Sequence, residues 1–398
     1  MRFVNKVLFL KQKLVQKDWQ KHEFKTPLAV PLLVGREWEY VKNCLDTNWI
    51  SSAGKYIEEF EEKIATFTGS SYCVALSSGT AALHLALQAV GVGANHCVVV
   101  PNLSFVASVN AIYYCNAQPI LVDVRKDTWQ LDVDLLEDFL EKECYQQEGA
   151  TFLKSTHQKI AALLPVHCLG DMPDMLRIIS IAKKFSIAVV EDAAEALGSF
   201  FDNKHAGTLG EVGVLSFNGN KIVTTGSGGA IITNDAAIAQ KIRHRANQAK
   251  THIHDYFHDE IGYNYRMANI LAAIGVAQME QIAFFLQKKK MIAQTYKEYL
   301  QGIATFQTSM PMVNANFWLC TALFKNSDKI AQELASKGVQ TRKLWHPLNR
   351  LPMNKDLPYI TKEDVTWQIY EKSLSLPSGV GMEMKEVLSI CEQIKRVE

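Results

Sequence analysis

The sequence predicts an α/β protein: a large domain on a mixed, mostly parallel sheet, then a smaller C-terminal α/β domain. Three observations carry that expectation. From Tyr56 onward, short apolar runs alternate with helix-length amphipathic stretches, as strands and crossover helices do. The runs near positions 98, 119, 160 and 187 are almost unbroken Val, Ile and Leu, the composition of parallel strands covered on both faces. With 398 residues, 48% hydrophobic and 21% charged, the chain can bury a sizeable core and form two or three structural units.

Residues 1–26 are rich in lysine and read as an N-terminal extension, a surface helix or a leader. Strands are predicted at 72–76, 98–100, 119–124, 160–166, 188–191, 212–217 and 230–233. Helices are predicted at 81–90, 105–115, 133–143, 174–185 and 235–248. The strands of 212–233 lie so close in sequence that no crossover helix fits between them. After Tyr263 the chain turns mainly helical to about Leu300. A mixed segment at 310–398 then holds short strands and two terminal helices. The large domain is set at 27–275 and the small one at 276–398, with a long helix able to bridge them.

Composition excludes several classes. Lys+Arg 42 against Asp+Glu 41 gives a net charge of +1, so no basic excess exists to neutralise a nucleic acid. The eight cysteines, at 44, 73, 97, 115, 144, 168, 320 and 391, form no CxxC pair. That argues against a zinc ribbon or a disulfide scaffold and for buried thiols in a reducing compartment. The apolar run at 7–10 is too short for a signal peptide or a membrane span. A soluble, cytoplasmic protein without a membrane partner is expected.

Four clusters carry chemistry. Ser77-Ser78-Gly79-Thr80 before Ala81-Ala82-Leu83 ends a strand and starts a helix on a hydroxyl, either a plain N-cap or an anion site at the helix dipole. Glu191-Asp192-Ala193-Ala194-Glu195 puts carboxylates at the end of a buried strand, where ligands bind in open α/β sheets. There an acid either caps the next helix or holds a proton on a heterocyclic nitrogen and makes the ring an electron sink. Lys221 follows Asn218-Gly219-Asn220 and precedes a Thr/Gly-rich turn without charged neighbours. Most lysines are solvated, but desolvation here would favour a nucleophilic amine suited to Schiff-base chemistry. Gly262-Tyr263-Asn264-Tyr265-Arg266-Met267 is a polar turn before an Ala-rich helix.

Two tempting motifs fail. The 226–229 glycines precede a strand instead of opening a helix, so the dinucleotide loop and an NAD-dependent oxidoreductase are excluded. His252, His254 and His258, with Asp255 and Asp259 among them, read as a solvated polar loop, and no metal is expected.

Together SSGTAALHLAL, PNLSFVASVNAI, EDAAEALGS, SFNGNKIVTTGSGGAIIT and GYNYRMANILAAIGVAQ resemble the DegT/DnrJ/EryC1/StrS family of pyridoxal-phosphate (PLP) sugar aminotransferases, over roughly residues 27–398. The resemblance implies a fold-type I, aspartate-aminotransferase-like homodimer with shared active sites. It implies that Lys221 bonds covalently to the cofactor, that Asp192 pairs with the pyridine nitrogen and that Phe105 stacks on the ring. Gly79, Thr80 and Ser216 match phosphate contacts, and Asn264 matches one supplied by the partner subunit. Glu195 stands where many members carry glutamine or histidine, near the cofactor's 3′ oxygen. A branch with histidine in place of the lysine dehydrates sugars, and Lys221 argues against that activity. LDTNWISSAG and QTRKLWHPL resemble the subgroup acting on UDP-4-keto-6-deoxy-N-acetylhexosamines of legionaminic acid and bacillosamine type, and place Trp49 and His346 beside the sugar. GDP-perosamine synthases share much of this pattern. His167, in Pro-Val-His-Cys-Leu-Gly, either touches the sugar or is a satisfied strand-end histidine.

The function expected is therefore transfer of an amino group, with glutamate as donor, to C4 of a nucleotide-linked 4-keto-6-deoxy sugar for surface-glycan or nonulosonic acid biosynthesis. The alternative within the family is action on GDP-4-keto-6-deoxymannose. The rival from another class is a non-catalytic PLP or sugar-nucleotide sensor, which would have no use for a proton-shuttling amine.

Overall fold

A computed structural model describes residues 24–251 and 256–398. The expected extension at 1–26 therefore lies almost wholly outside the described residues. Where the chain enters, Thr26 exchanges backbone hydrogen bonds with Gly338 and Gln340 of the small domain.

The large sheet runs in the order Tyr72–Leu76, Gly229–Thr233, Val212–Ser216, Ala188–Asp192, Lys159–Leu163, His96–Pro101, Gln118–Val122, Tyr359–Ile360. The first two pairings are antiparallel and the rest parallel. Side chains alternate between two apolar layers: Cys73, Ala75, Val189 and Ile232 pack on one side, Val74, Leu76, Val190 and Ile231 on the other. Helices cover both faces because parallel strands need crossovers. Local chemistry sets their ends. Asp132 accepts from the Asp134 and Leu135 N–H groups to start Val133–Glu143, and Gly69 in the left-handed region (φ 73°) ends Lys55–Thr68.

The domain division is less clean than 275/276. The Ile282–Tyr299 helix places Phe285 in the large core and Ile292 and Tyr296 in that of the small domain. The small domain has its own antiparallel sheet, Thr305–Phe306, Cys320–Leu323 and Ser373–Leu376. Three helices accompany it, Ser327–Ser336, Val365–Lys372 and Met384–Lys395, one more than expected. Yet Tyr359–Ile360 returns to the large sheet. Buried Asp123 fixes that return by accepting from the Thr361 hydroxyl, the Val365 N–H, and the Thr366 N–H and hydroxyl. The hairpin Cys144–Gln147 and Ala150–Leu153, absent from the expected elements, joins the sheet through Phe152 and Lys159. All eight cysteines are buried free thiols.

Candidate active site

The sheet and the small domain enclose a cavity of about 590 Å³. One wall is the start of the Gly79–Ala89 helix. Ser78 caps it by accepting from the Ala81 N–H at 3.1 Å, which leaves the Gly79 and Thr80 N–H groups without intrahelical partners. A Cβ at Gly79 would come within 3.0 Å of Ser216 Cβ and 3.1 Å of its Oγ. Glycine thus lets the positive helix end and the Ser216 hydroxyl converge on one point, a cradle for a phosphate.

The floor is the end of Ala188–Asp192. Asp192 Oδ2 accepts from Ser108 Oγ at 2.7 Å and Oδ1 from the Ala194 N–H at 3.2 Å. Burial raises its pKa, against the pull of those two bonds and of Lys221. No cation pairs with it among the described residues, so its acceptor capacity faces the cavity. Phe105, 53% exposed, supplies an aromatic face.

Lys221 closes the third side, its backbone N–H bonded to Asn218 O. Its ammonium lies 3.6 Å from Glu195 Oε1 and 3.9 Å from the ring centroid of Trp318. The charge-free neighbourhood read from sequence is therefore corrected: folding brings the Glu195 carboxyl alongside. Trp318, from the small domain, donates its indole N–H to Asn220 O at 2.7 Å and stacks on Trp345 at 6.3 Å and 9°.

Gly79, Thr80, Phe105, Asp192, Glu195, Ser216 and Lys221 thus line one cavity. Other expected residues do not. His167 is fully buried with Nε2 2.8 Å from Glu191 Oε2. That is the strand-end histidine with an internal partner, not a sugar contact. Trp49 is exposed, and its carbonyl accepts from Asn269 Nδ2. His346 packs on Tyr370 at 4.5 Å, because the segment reaches the cavity through Arg342–Trp345 instead. Asn264 is exposed and lies outside its own chain's cavity. Of the histidine loop, His252, His254 and Asp255 lie outside the described residues. His258 Nδ1 sits 2.7 Å from Gln248 O, and Asp259 pairs with His244. Trp318 and Asn220 were missed. Trp318 stands 97 residues from Lys221 in a stretch with no periodicity, so no local signal marks it.

A phosphate cradle, a buried carboxylate without a cation, an open aromatic face and an amine around one cavity fit PLP. Gly79, Thr80 and Ser216 would hold its phosphate, Asp192 its ring nitrogen, Phe105 its face and Lys221 its carbonyl carbon. The comparisons agree. The model of the DegT/DnrJ/EryC1/StrS aminotransferase family matches residues 32–395. The GDP-perosamine synthase of Escherichia coli O157:H7 is 38% identical over 92% of this chain and 97% of its own. That of Caulobacter vibrioides is 35% identical, with the same coverage. Among solved structures, the PLP form of the candidate sugar aminotransferase Spr1654 from Streptococcus pneumoniae superposes with a TM-score of 0.83 at 25% identity, over 93% of this chain and 98% of that one. The chain belongs to the DegT/DnrJ/EryC1/StrS aminotransferase family and is a PLP-dependent transaminase of fold-type I.

Proposed function

We propose that the protein transfers an amino group, from glutamate, to C4 of a GDP-linked 4-keto-6-deoxy sugar. The observation that carries the choice of sugar nucleotide is the match to two GDP-perosamine synthases across more than nine-tenths of both chains. It favours the GDP sugar over the UDP-N-acetylhexosamine reading that the flanking motifs suggested. Of the two flanking motifs behind that reading, the second reaches the cavity through Arg342–Trp345 and not through His346.

When bound, PLP supplies an electron sink for the carbanion left by proton removal. The chain's own groups do the rest. The helix end and Ser216 anchor, and the Asp192 carboxylate keeps a proton on the ring nitrogen. Lys221 Nζ, freed from its covalent role, takes the proton from the donor's α-carbon and delivers it as general acid. Donor and keto sugar use the cavity in turn, so steady-state lines for the two should be parallel. The deciding experiment offers GDP- and UDP-4-keto-6-deoxy sugars with glutamate. Amination of the GDP sugar, lost by at least ~10⁴-fold in Lys221→Ala, is expected. Preferential amination of a UDP sugar would replace this reading.

Assembly as a homodimer belongs to the same proposal. Asn264 stands exposed beside no cavity of its own, and Trp38, Trp49, Tyr256 and Ile261 are exposed apolar groups, the last at 82%. Mixing Lys221→Ala chains with Asn264→Trp chains should return partial activity, since one cavity per mixed dimer escapes both defects. No recovery in a mixture that exchanges subunits refutes the shared site.

A further inference from the structure

The two oxygens of Glu195 have different partners. Oε2 accepts the Leu169 N–H at 2.8 Å, and that N–H is aimed by a left-handed backbone at Leu169, φ 60°, an uncommon conformation for a residue with a Cβ. Oε1 faces the Lys221 ammonium at 3.6 Å and has no other recorded partner among the described residues. Asn316 Nδ2 donates to the Glu195 carbonyl at 2.8 Å, so the main chain behind the carboxyl is fixed too. A carboxyl held this firmly, 6% exposed, makes its free oxygen the nearest base to the amine.

We propose that Glu195 is the proton partner of Lys221: when the Lys221 nitrogen bonds to a carbonyl carbon, Glu195 Oε1 takes the surplus ammonium proton and keeps it in the cavity. The balance closes without an oxidant or reductant. Two of the three ammonium hydrogens leave with the carbonyl oxygen as water, and the third passes to the carboxylate. The nitrogen then carries no charge, and Glu195 has become a neutral acid with an O–H to donate.

Electrostatics drives the transfer. Burial pushes the Glu195 carboxyl up to about 7, although the Lys221 charge and the Leu169 N–H hold it down, while Asp192 pushes it further up. Once the ammonium charge is consumed, an ionised Glu195 would be a lone buried anion beside another carboxylate, which is costly. The neighbouring groups compete poorly. Burial, Glu195 and Asp171 keep the Cys168 thiol protonated, and Asp192 already accepts from Ser108.

This inference rests on Lys221 being the nitrogen that takes the cofactor, and the test scores the two separately. Apo-protein is loaded with PLP near pH 8 in buffers of different ionisation enthalpy, and the heats give the protons released per site. Wild type should release close to none, and Glu195→Gln about one more. Equal release overturns the proposal. In a Lys221→Ala background, Glu195→Gln should leave the count unchanged. A similar change there also overturns it, because the proton would not come from Lys221. Difference infrared spectroscopy of wild type alone, apo against loaded, should show a protonated carboxyl appearing, and its absence overturns the proposal even if Glu195→Gln fails to fold. The absorption of the lysine-bound cofactor, lost in Lys221→Ala, scores the underlying role of Lys221 independently.

Discussion

Glu191 and Asp192 are neighbours on one strand, both buried carboxylates, and the fold treats them in opposite ways. Glu191 faces the interior of the large domain. Its Oε1 accepts from the Leu209 and Gly210 N–H groups, and its Oε2 from Gly207 N–H and lies 2.8 Å from His167 Nε2. Burial alone would raise its pKa, but His167 and these N–H groups outweigh it and hold the carboxyl below its ordinary value. Asp192 faces the cavity with two protein partners and a pKa raised by burial. One carboxylate is saturated by its own chain, and the other is left wanting a cation. Saturation marks a structural acid and incompleteness a functional one, because an unsatisfied buried charge persists only where a ligand completes it.

Breaking the two sides separately should give contrasting losses. Asp192→Asn keeps the shape and removes the charge, so kcat should fall about 10²- to 10³-fold while thermal stability and PLP affinity change little. Single-turnover rates and melting curves check this, and an unchanged kcat would mean that another group holds the ring proton. Glu191→Gln should do the reverse, costing about 3 kcal/mol of folding stability with kcat per folded molecule nearly retained, as read by urea titration alongside activity. The smallest expected effect is the pH dependence of that cost. A carboxyl whose folded pKa is depressed contributes stability above its unfolded value of 4.5 and loses it as pH falls. The gap between wild type and Glu191→Gln should therefore narrow below about pH 4.5. A gap independent of pH would show that shape, not charge, sets the cost.

Much of the large domain was legible because its periodicity is local. The strand Tyr72–Leu76 and the helix Val133–Glu143 coincide with the expected bounds, and the neighbouring elements differ by a few residues. Two-residue strands such as Phe200–Phe201 and Tyr359–Ile360 are too short to show an alternation, and each pairs with residues more than a hundred positions away, Val313–Asn314 and Leu121–Val122. The same holds in the site. Lys221 in its turn, Asp192 at a strand end and Gly79 at a helix start sit among residue types that announce their backbone and chemistry. His167 fits two readings with the same letters, and only the position of Glu191 chooses between them. Trp318 and Asn316 come from the small domain, and nothing in their own stretch marks them as neighbours of the lysine.

Those two small-domain residues tie the halves of the molecule together in an unequal way. Asn316 holds the carbonyls of Glu195 and Leu197, and Trp318 holds the loop before Lys221 while covering its amine. Anything that loosens the small domain therefore also loosens the backbone that carries Lys221 and Glu195, and with it the covalent hold on PLP. Since binding to the folded form stabilises it by mass action, a defect far out on the small domain would present as a vitamin requirement. The weakened chain would regain its activity in excess PLP, and starve first when the supply ran low.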